Sequence, residues 1–111
     1  MNIEQYREYC LSKEWVEEST PFGPDVLVFK VKGKMFALCD LVQFEMINLK
    51  CDPEKALELR EQYSEVQPGY HMNKKHWNSI DPHGSLNDKQ ILEWTDDSYE
   101  LILSSIPKSK R

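Results

Sequence analysis

Basic residues are in the minority in this 111-residue chain, where 14 Lys and Arg stand against 19 Asp and Glu for a net charge of −5. Long-range attraction to a polyanion is therefore missing, although a local basic face is compatible with an acidic total. Apolar runs are short as well: none approaches the roughly eighteen residues of a membrane-spanning helix. The opening Met1-Asn2-Ile3-Glu4-Gln5 lacks the basic and apolar regions of a secretory leader. Cysteine is sparse. Cys10, Cys39 and Cys51 are odd in number and widely spaced, which argues against a disulfide framework and for a reducing cytoplasm. Signatures of catalysis are missing too, with no Gly-rich phosphate loop, no G-x-S-x-G elbow and no H-E-x-x-H. Cys39 and Cys51 fall at apolar strand positions, where an inert thiol is the expectation. A soluble, non-enzymatic cytoplasmic protein without membrane contact or cofactor is therefore expected.

What is present suits one globular domain: 40% hydrophobic, 30% charged and 11% aromatic residues in a length that supports a single core. Asn2 caps a first helix running to about Leu11, with Ile3, Tyr6 and Cys10 at helical spacing. Residues 12–24 read as an irregular link whose Trp15 and Val16 dock on the fold and whose Thr20-Pro21-Phe22-Gly23-Pro24 breaks any helix. A hairpin follows, with strands over 25–31 and 35–39 about a tight turn at Lys32-Gly33. If Val31 opposes Lys34, then Phe29 opposes Phe36 and Leu27 opposes Leu38, and these four share the face that meets helices. The other face, with Val28, Lys30, Lys32, Met35 and Ala37, is left open. A third strand covers Glu45 to Cys51, with Ile47, Leu49 and Cys51 alternating against Met46, Asn48 and Lys50. Asp52 and Pro53 then start a helix to about Gln62, with Ala56, Leu59 and Tyr63 inward and Arg60 solvated. Asn87 caps a last helix whose core stripe is Ile91, Leu92, Thr95, Tyr99, Ile102, Leu103 and Ile106, ended by Pro107. The basic tail Lys108-Ser109-Lys110-Arg111 is expected to fray. The predicted order is α-β-β-β-α-β-β-α, an α+β domain with an antiparallel sheet and helices on one face.

The densest chemistry lies in Val66 to Ile80, with two His, two Lys, Asn, Tyr and Trp within a dozen residues. Pro68-Gly69 marks a turn, Gly69 accepting positive φ, and Tyr70-His71-Met72 and His76 to Ile80 read as the strands of a second hairpin. With a two-residue turn at Asn73-Lys74, His71 opposes His76 and Tyr70 opposes Trp77; a turn at Lys74-Lys75, or one of three residues, removes that pairing. Lys74 and Lys75 at such a tip are candidate phosphate contacts, with Asn73 or His76 bonding backbone or bases. Equally, Trp77 belongs to the core and Asn73 is simply the turn residue. Paired histidines also raise the question of a metal, but no Cys or carboxylate falls at a completing distance, so no metal site is expected.

The motif P-x-x-H-x-N-K-x-H-W, here Pro68, His71, Asn73, Lys74, His76 and Trp77, resembles that of the MmcQ/YjbR family. Asn48-Leu49-Lys50, Gly84-Ser85-Leu86 and Ser98-Tyr99 extend the likeness along nearly the whole chain. The resemblance implies a CyaY-like fold and a DNA-binding protein built on a double-wing arrangement. The wings here would be the hairpins tipped by Lys32/Lys34 and Lys74/Lys75. The candidate nucleic-acid residues are thus Lys32, Lys34, Lys50, Asn73, Lys74, Lys75, His76 and Trp77, with Lys30 extending the basic stripe. The rival expectation is a protein–protein or small-ligand module that uses the same open face. A monomer is compatible with both.

Overall fold

Six strands form one antiparallel sheet in a computed structural model that describes all residues, Met1–Arg111. Helix α1 (Ile3–Leu11) begins at a capping box: Asn2 Oδ1 accepts from the Gln5 amide while Gln5 Oε1 accepts from the Asn2 amide. The strands are β1 (Val16–Ser19), β2 (Val26–Val31), β3 (Lys34–Asp40), β4 (Ile47–Lys50), β5 (Val66–Pro68) and β6 (Trp77–Ile80). Helix α2 (Pro53–Gln62) separates β4 from β5, and α3 (Asp88–Ser104) follows β6. The sheet order is β1-β2-β3-β4-β6-β5. The predicted α+β class and one-sided helical packing hold.

Within the segment read as a link, Val16–Ser19 forms an additional edge strand against β2, with Glu17 opposite Lys30 and Ser19 opposite Val28. Only one apolar residue marks it, because an edge strand needs few. Glu18 turns instead to the helical side, where its carboxylate accepts from the Arg7 guanidinium of α1 at 2.5 and 2.6 Å. The basic tail is likewise more regular than expected: Lys108–Lys110 is a 3₁₀ turn, and Arg111 Nε donates to Ile106 O at 3.0 Å.

The first hairpin turns at Lys32-Gly33, both with positive φ (50° and 83°), the type I′ geometry whose twist suits a two-residue loop. Its register departs from the expected one. Lys30 pairs with Met35, but Phe29 pairs with Ala37, so Phe36 is the extra residue of a β-bulge. Phe29 and Phe36 still share the helical side, while Leu38 pairs with Val28 and faces away from Phe29. A hydroxyl fixes the bulge: Ser98 of α3 donates to Phe36 O at 2.5 Å and accepts from the Lys50 amide at 3.0 Å. That bridge spans β3 and β4 where the bulge separates their ends.

All three helices lie on the side of the large core, in which Tyr6, Phe29, Phe36, Ile47, Ile91 and Val66 are essentially inaccessible. The opposite face has only a small cluster, Val28, Leu38 and Trp77, flanked by Val26, Met35 and Met72. No helix is long and apolar enough to cross a membrane. Burial raises the Cys10 thiol to about 12 and pushes Cys39 higher still, while Cys51 is raised less, by partial burial and then by the Asp52 carboxylate. At pH 8 only about one Cys10 in ten thousand is then thiolate, the reactive form. Iodoacetamide at pH 8 is therefore expected to label the native protein slowly at Cys51 alone and to reach Cys10 and Cys39 only in denaturant, as read by intact mass.

Candidate nucleic-acid interface

The second hairpin is real but its tip differs from the expected one. Pairing between β5 and β6 matches Val66 with Ile80, Gln67 with Ser79 and Pro68 with Asn78, after which an eight-residue loop, 69–76, replaces a two-residue turn. His71 therefore does not face His76, and Tyr70 does not face Trp77. Tyr70 instead meets His71 with ring centroids 4.0 Å apart and planes tilted by 53°, and His71 takes φ 59°. Gly69 serves close approach rather than a left-handed turn. It donates to Trp77 O at 2.8 Å, and a Cβ there would sit 2.7 Å from Trp77 Cβ.

Side chains from both faces of the sheet clasp this loop. On the open face, Asn48 donates to Tyr70 O at 3.1 Å, Ser79 donates to Asn48 Oδ1, and Ser79 Oγ accepts from the Tyr70 amide at 2.8 Å. Met72 then packs on the Val28–Leu38–Trp77 cluster. On the helical face, Arg60 of α2 donates through Nε to Asn78 Oδ1 at 2.7 Å and through Nη2 to Lys74 O and to Trp77 O, the latter at 3.2 Å. Asn78 in turn donates to Ala56 O at 3.4 Å. Arg60, expected to be solvated, is the strut between α2 and the loop. Every buried polar side-chain atom has a partner, as such amides require.

The predicted contact residues accordingly separate. Asn73 caps its own loop, its Oδ1 accepting from the Lys75 amide at 2.9 Å. Lys74 is exposed, but its ammonium bends back to donate to Gly69 O at 2.9 Å. His76 is half-buried, and its carbonyl accepts from the Cys51 amide at 2.8 Å, prolonging the β4–β6 ladder. Lys75 is exposed. Lys32 rests over the Trp15 ring, 4.8 Å from its centroid. Lys34, Lys50 and Trp77 do come together.

They line a groove of about 500 Å³ beside the first hairpin, where Lys30, Met35 and Phe22 are further walls, Lys34 stands on the face of its partner Val31, and Ile102 of α3 reaches in from the helical side. Trp77, only 7% exposed, is a structural wall, whereas Phe22 is 62% exposed. The three ion pairs of the structure join the Met1 ammonium to Asp88, Arg7 to Glu18 and Lys13 to Asp96. Lys30, Lys34 and Lys50 thus have no carboxylate within bonding distance, although Glu17 stands across from Lys30 in the sheet. Phe22 and Lys30 are the groove residues that residue spacing alone brings together least: a loop after β1 and a mid-strand lysine carry no shared pattern.

Replacing Arg60 with Ala leaves the buried Asn78 oxygen and two loop carbonyls without their donor. A loss of about 2 kcal/mol of stability is expected from such charged bonds, measured by urea denaturation. Faster amide exchange confined to residues 69–77 is the accompanying expectation.

A model of the YjbR family matches residues 11–101. The uncharacterised protein YbdF of Escherichia coli O157:H7 is 39% identical over 106 residues, covering 95% of this chain and 87% of that protein. Another uncharacterised protein, YjbR of Escherichia coli strain K12, is 36% identical over 112 residues, covering 100% of this chain and 95% of its own length. Among solved structures, a Deinococcus radiodurans protein with the DUF419 domain is similar at TM-score 0.92 and 34% identity, over 99% of this chain and 85% of that one. A Pseudomonas syringae protein is similar at TM-score 0.77 and 30% identity, over 91% and 98% respectively. Matched along its length in both sequence and fold, the chain belongs to the YjbR family.

Proposed function

We propose that this protein is a non-enzymatic cytoplasmic DNA-binding domain that grips phosphates along the lysine-lined groove beside its first hairpin. The observation that carries the reading is the convergence of Lys30, Lys34 and Lys50, free of ion pairs, around one depression. Lys32 at the neighbouring turn tip adds a fourth charge next to Lys34. Free thiols, two of them buried, agree with a reducing compartment. Of the two wings that the family resemblance implies, the Lys32-Gly33 turn remains the candidate on this reading, whereas the 69–76 loop is tied down against the sheet.

Four phosphate contacts predict that log K falls with log salt with a slope of roughly −3 to −4. Titration of labelled DNA between low and moderate salt checks this. The pair Lys34→Glu with Lys50→Glu is expected to abolish binding while the thermal transition stays intact. Lys75→Glu, outside the groove, is expected to cost little. Undetectable binding at low salt sinks the proposal.

A small-ligand reading is favoured by a different feature. Helices α2 and α3 leave a cleft of about 330 Å³ over β4 and β6, floored by Leu49, Leu59, Ile80 and Trp94 and rimmed by Lys55 and Asp97. Apolar clefts with a few polar groups are ordinary ligand sites. On that reading, small apolar probes quench Trp94 fluorescence and raise the melting temperature, and DNA does neither.

A further inference from the structure

Resting on the DNA-binding reading, we infer that the groove takes single-stranded rather than duplex DNA, with Phe22 as the platform on which an unpaired base stacks. Phe22 is a large apolar side chain left 62% exposed beside three lysines without carboxylate partners. Isolated exposed apolar residues are common and mean little alone. Here the ring lines the same depression as the cations, and that pairing of π-face with ammonium is the chemistry of single-strand grooves.

The backbone that carries the ring is a defined turn. Thr20-Pro21-Phe22-Gly23 is a tight turn in which the Gly23 amide donates to Thr20 O at 3.3 Å, with Pro21 at the position its fixed φ suits. Gly23, at φ 112°, and Pro24 close the loop.

Shape decides between one strand and two. A duplex is read by elements that project into a groove about 12 Å wide. The Lys32-Gly33 tip projects, but its expected partner is pinned down by Asn48, Arg60 and Lys74. What remains is a concave surface with Phe22, Lys30, Lys34 and Lys50 around its walls, into which a flexible strand can place a phosphate and an unstacked base together. A paired base has no face to offer Phe22.

Fluorescence anisotropy with a labelled oligo-dT of about twelve nucleotides, a length within the range of small single-strand sites, tests this against a duplex of equal length. Expected are tighter binding of the single strand and a loss of about tenfold in that affinity on Phe22→Ala, the effect of losing one stacked base. Phe22→Trp, which keeps a platform, restores it, and duplex binding is unchanged in both variants. Because Phe22 is exposed and outside the core, both variants keep the wild-type melting temperature. Equal affinity for strand and duplex, or a Phe22→Ala variant that binds oligo-dT as wild type does, overturns the inference while the DNA-binding reading stands. No binding to either form at low salt overturns both.

Discussion

Two buried amides, Asn48 and Asn78, stand on opposite faces of adjacent strands and hold the same loop. Asn48 is fully buried and Asn78 is 2% exposed, and with Ser79 they are the buried polar residues of the sheet. Burying an amide costs stability unless its donors and acceptors are met, and here each is met by the loop or by a residue that reaches it. Asn48 works with Ser79 to hold Tyr70, and Asn78 orients Arg60 toward the carbonyls of Lys74 and Trp77. Removing either side of the clasp would free residues 69–76 from the sheet. With them would go Met72, which packs on the small cluster around Trp77.

The acidic total and a basic groove coexist because the charges are sorted by face. Glu54, Glu58 and Glu61 lie exposed on α2, and Glu93, Asp97 and Glu100 on α3. Both helices pack on one side of the sheet, and α3 meets the groove only through Ile102. The molecule measures 25 Å along its shortest axis, whereas a field at physiological salt decays over about 8 Å. Glu17, opposite Lys30, lowers the field at one end of the groove. On the proposed function, the acidic total predicts an on-rate without much steering and an affinity that depends on close contacts.

Capping and turn chemistry were the most legible features of the chain. Asn2, Asp52 and Asn87 each accept from the backbone at the start of a helix, as residue type alone dictates. Lys32-Gly33 made the first hairpin readable for a similar local reason. Harder to read were arrangements fixed by tertiary bonds. The bulge at Phe36 depends on Ser98, 62 residues away, and alternation alone cannot show where one residue will be skipped. The Asn73 loop looked like a two-residue turn because Asn suits either, and the clasp that selects the longer loop comes from α2 and β4. Arg60 looked solvated because a helix pattern places its Cβ outward, while the side chain is long enough to reach round to β6.

The tripeptide Asn48-Leu49-Lys50 shows why the motif pieces are spread so widely yet form one object. Alternation along β4 sends Leu49 to the main core and Asn48 and Lys50 to the open face. Asn48 fixes the loop that precedes Trp77, and Lys50, two residues on, supplies charge to the groove. The backbone amide of Lys50 is held by the same Ser98 hydroxyl that sets the bulge, and the bulge sits between Met35 and Ala37 on the strand that carries Lys34. Ser98, Asn48 and the 68–77 segment, far apart in sequence, thus set the spacing between two lysines. A one-residue slip of β4 would exchange Leu49 with its neighbours, burying an ammonium and exposing the core. The register that protects the core therefore also fixes the position of the charge.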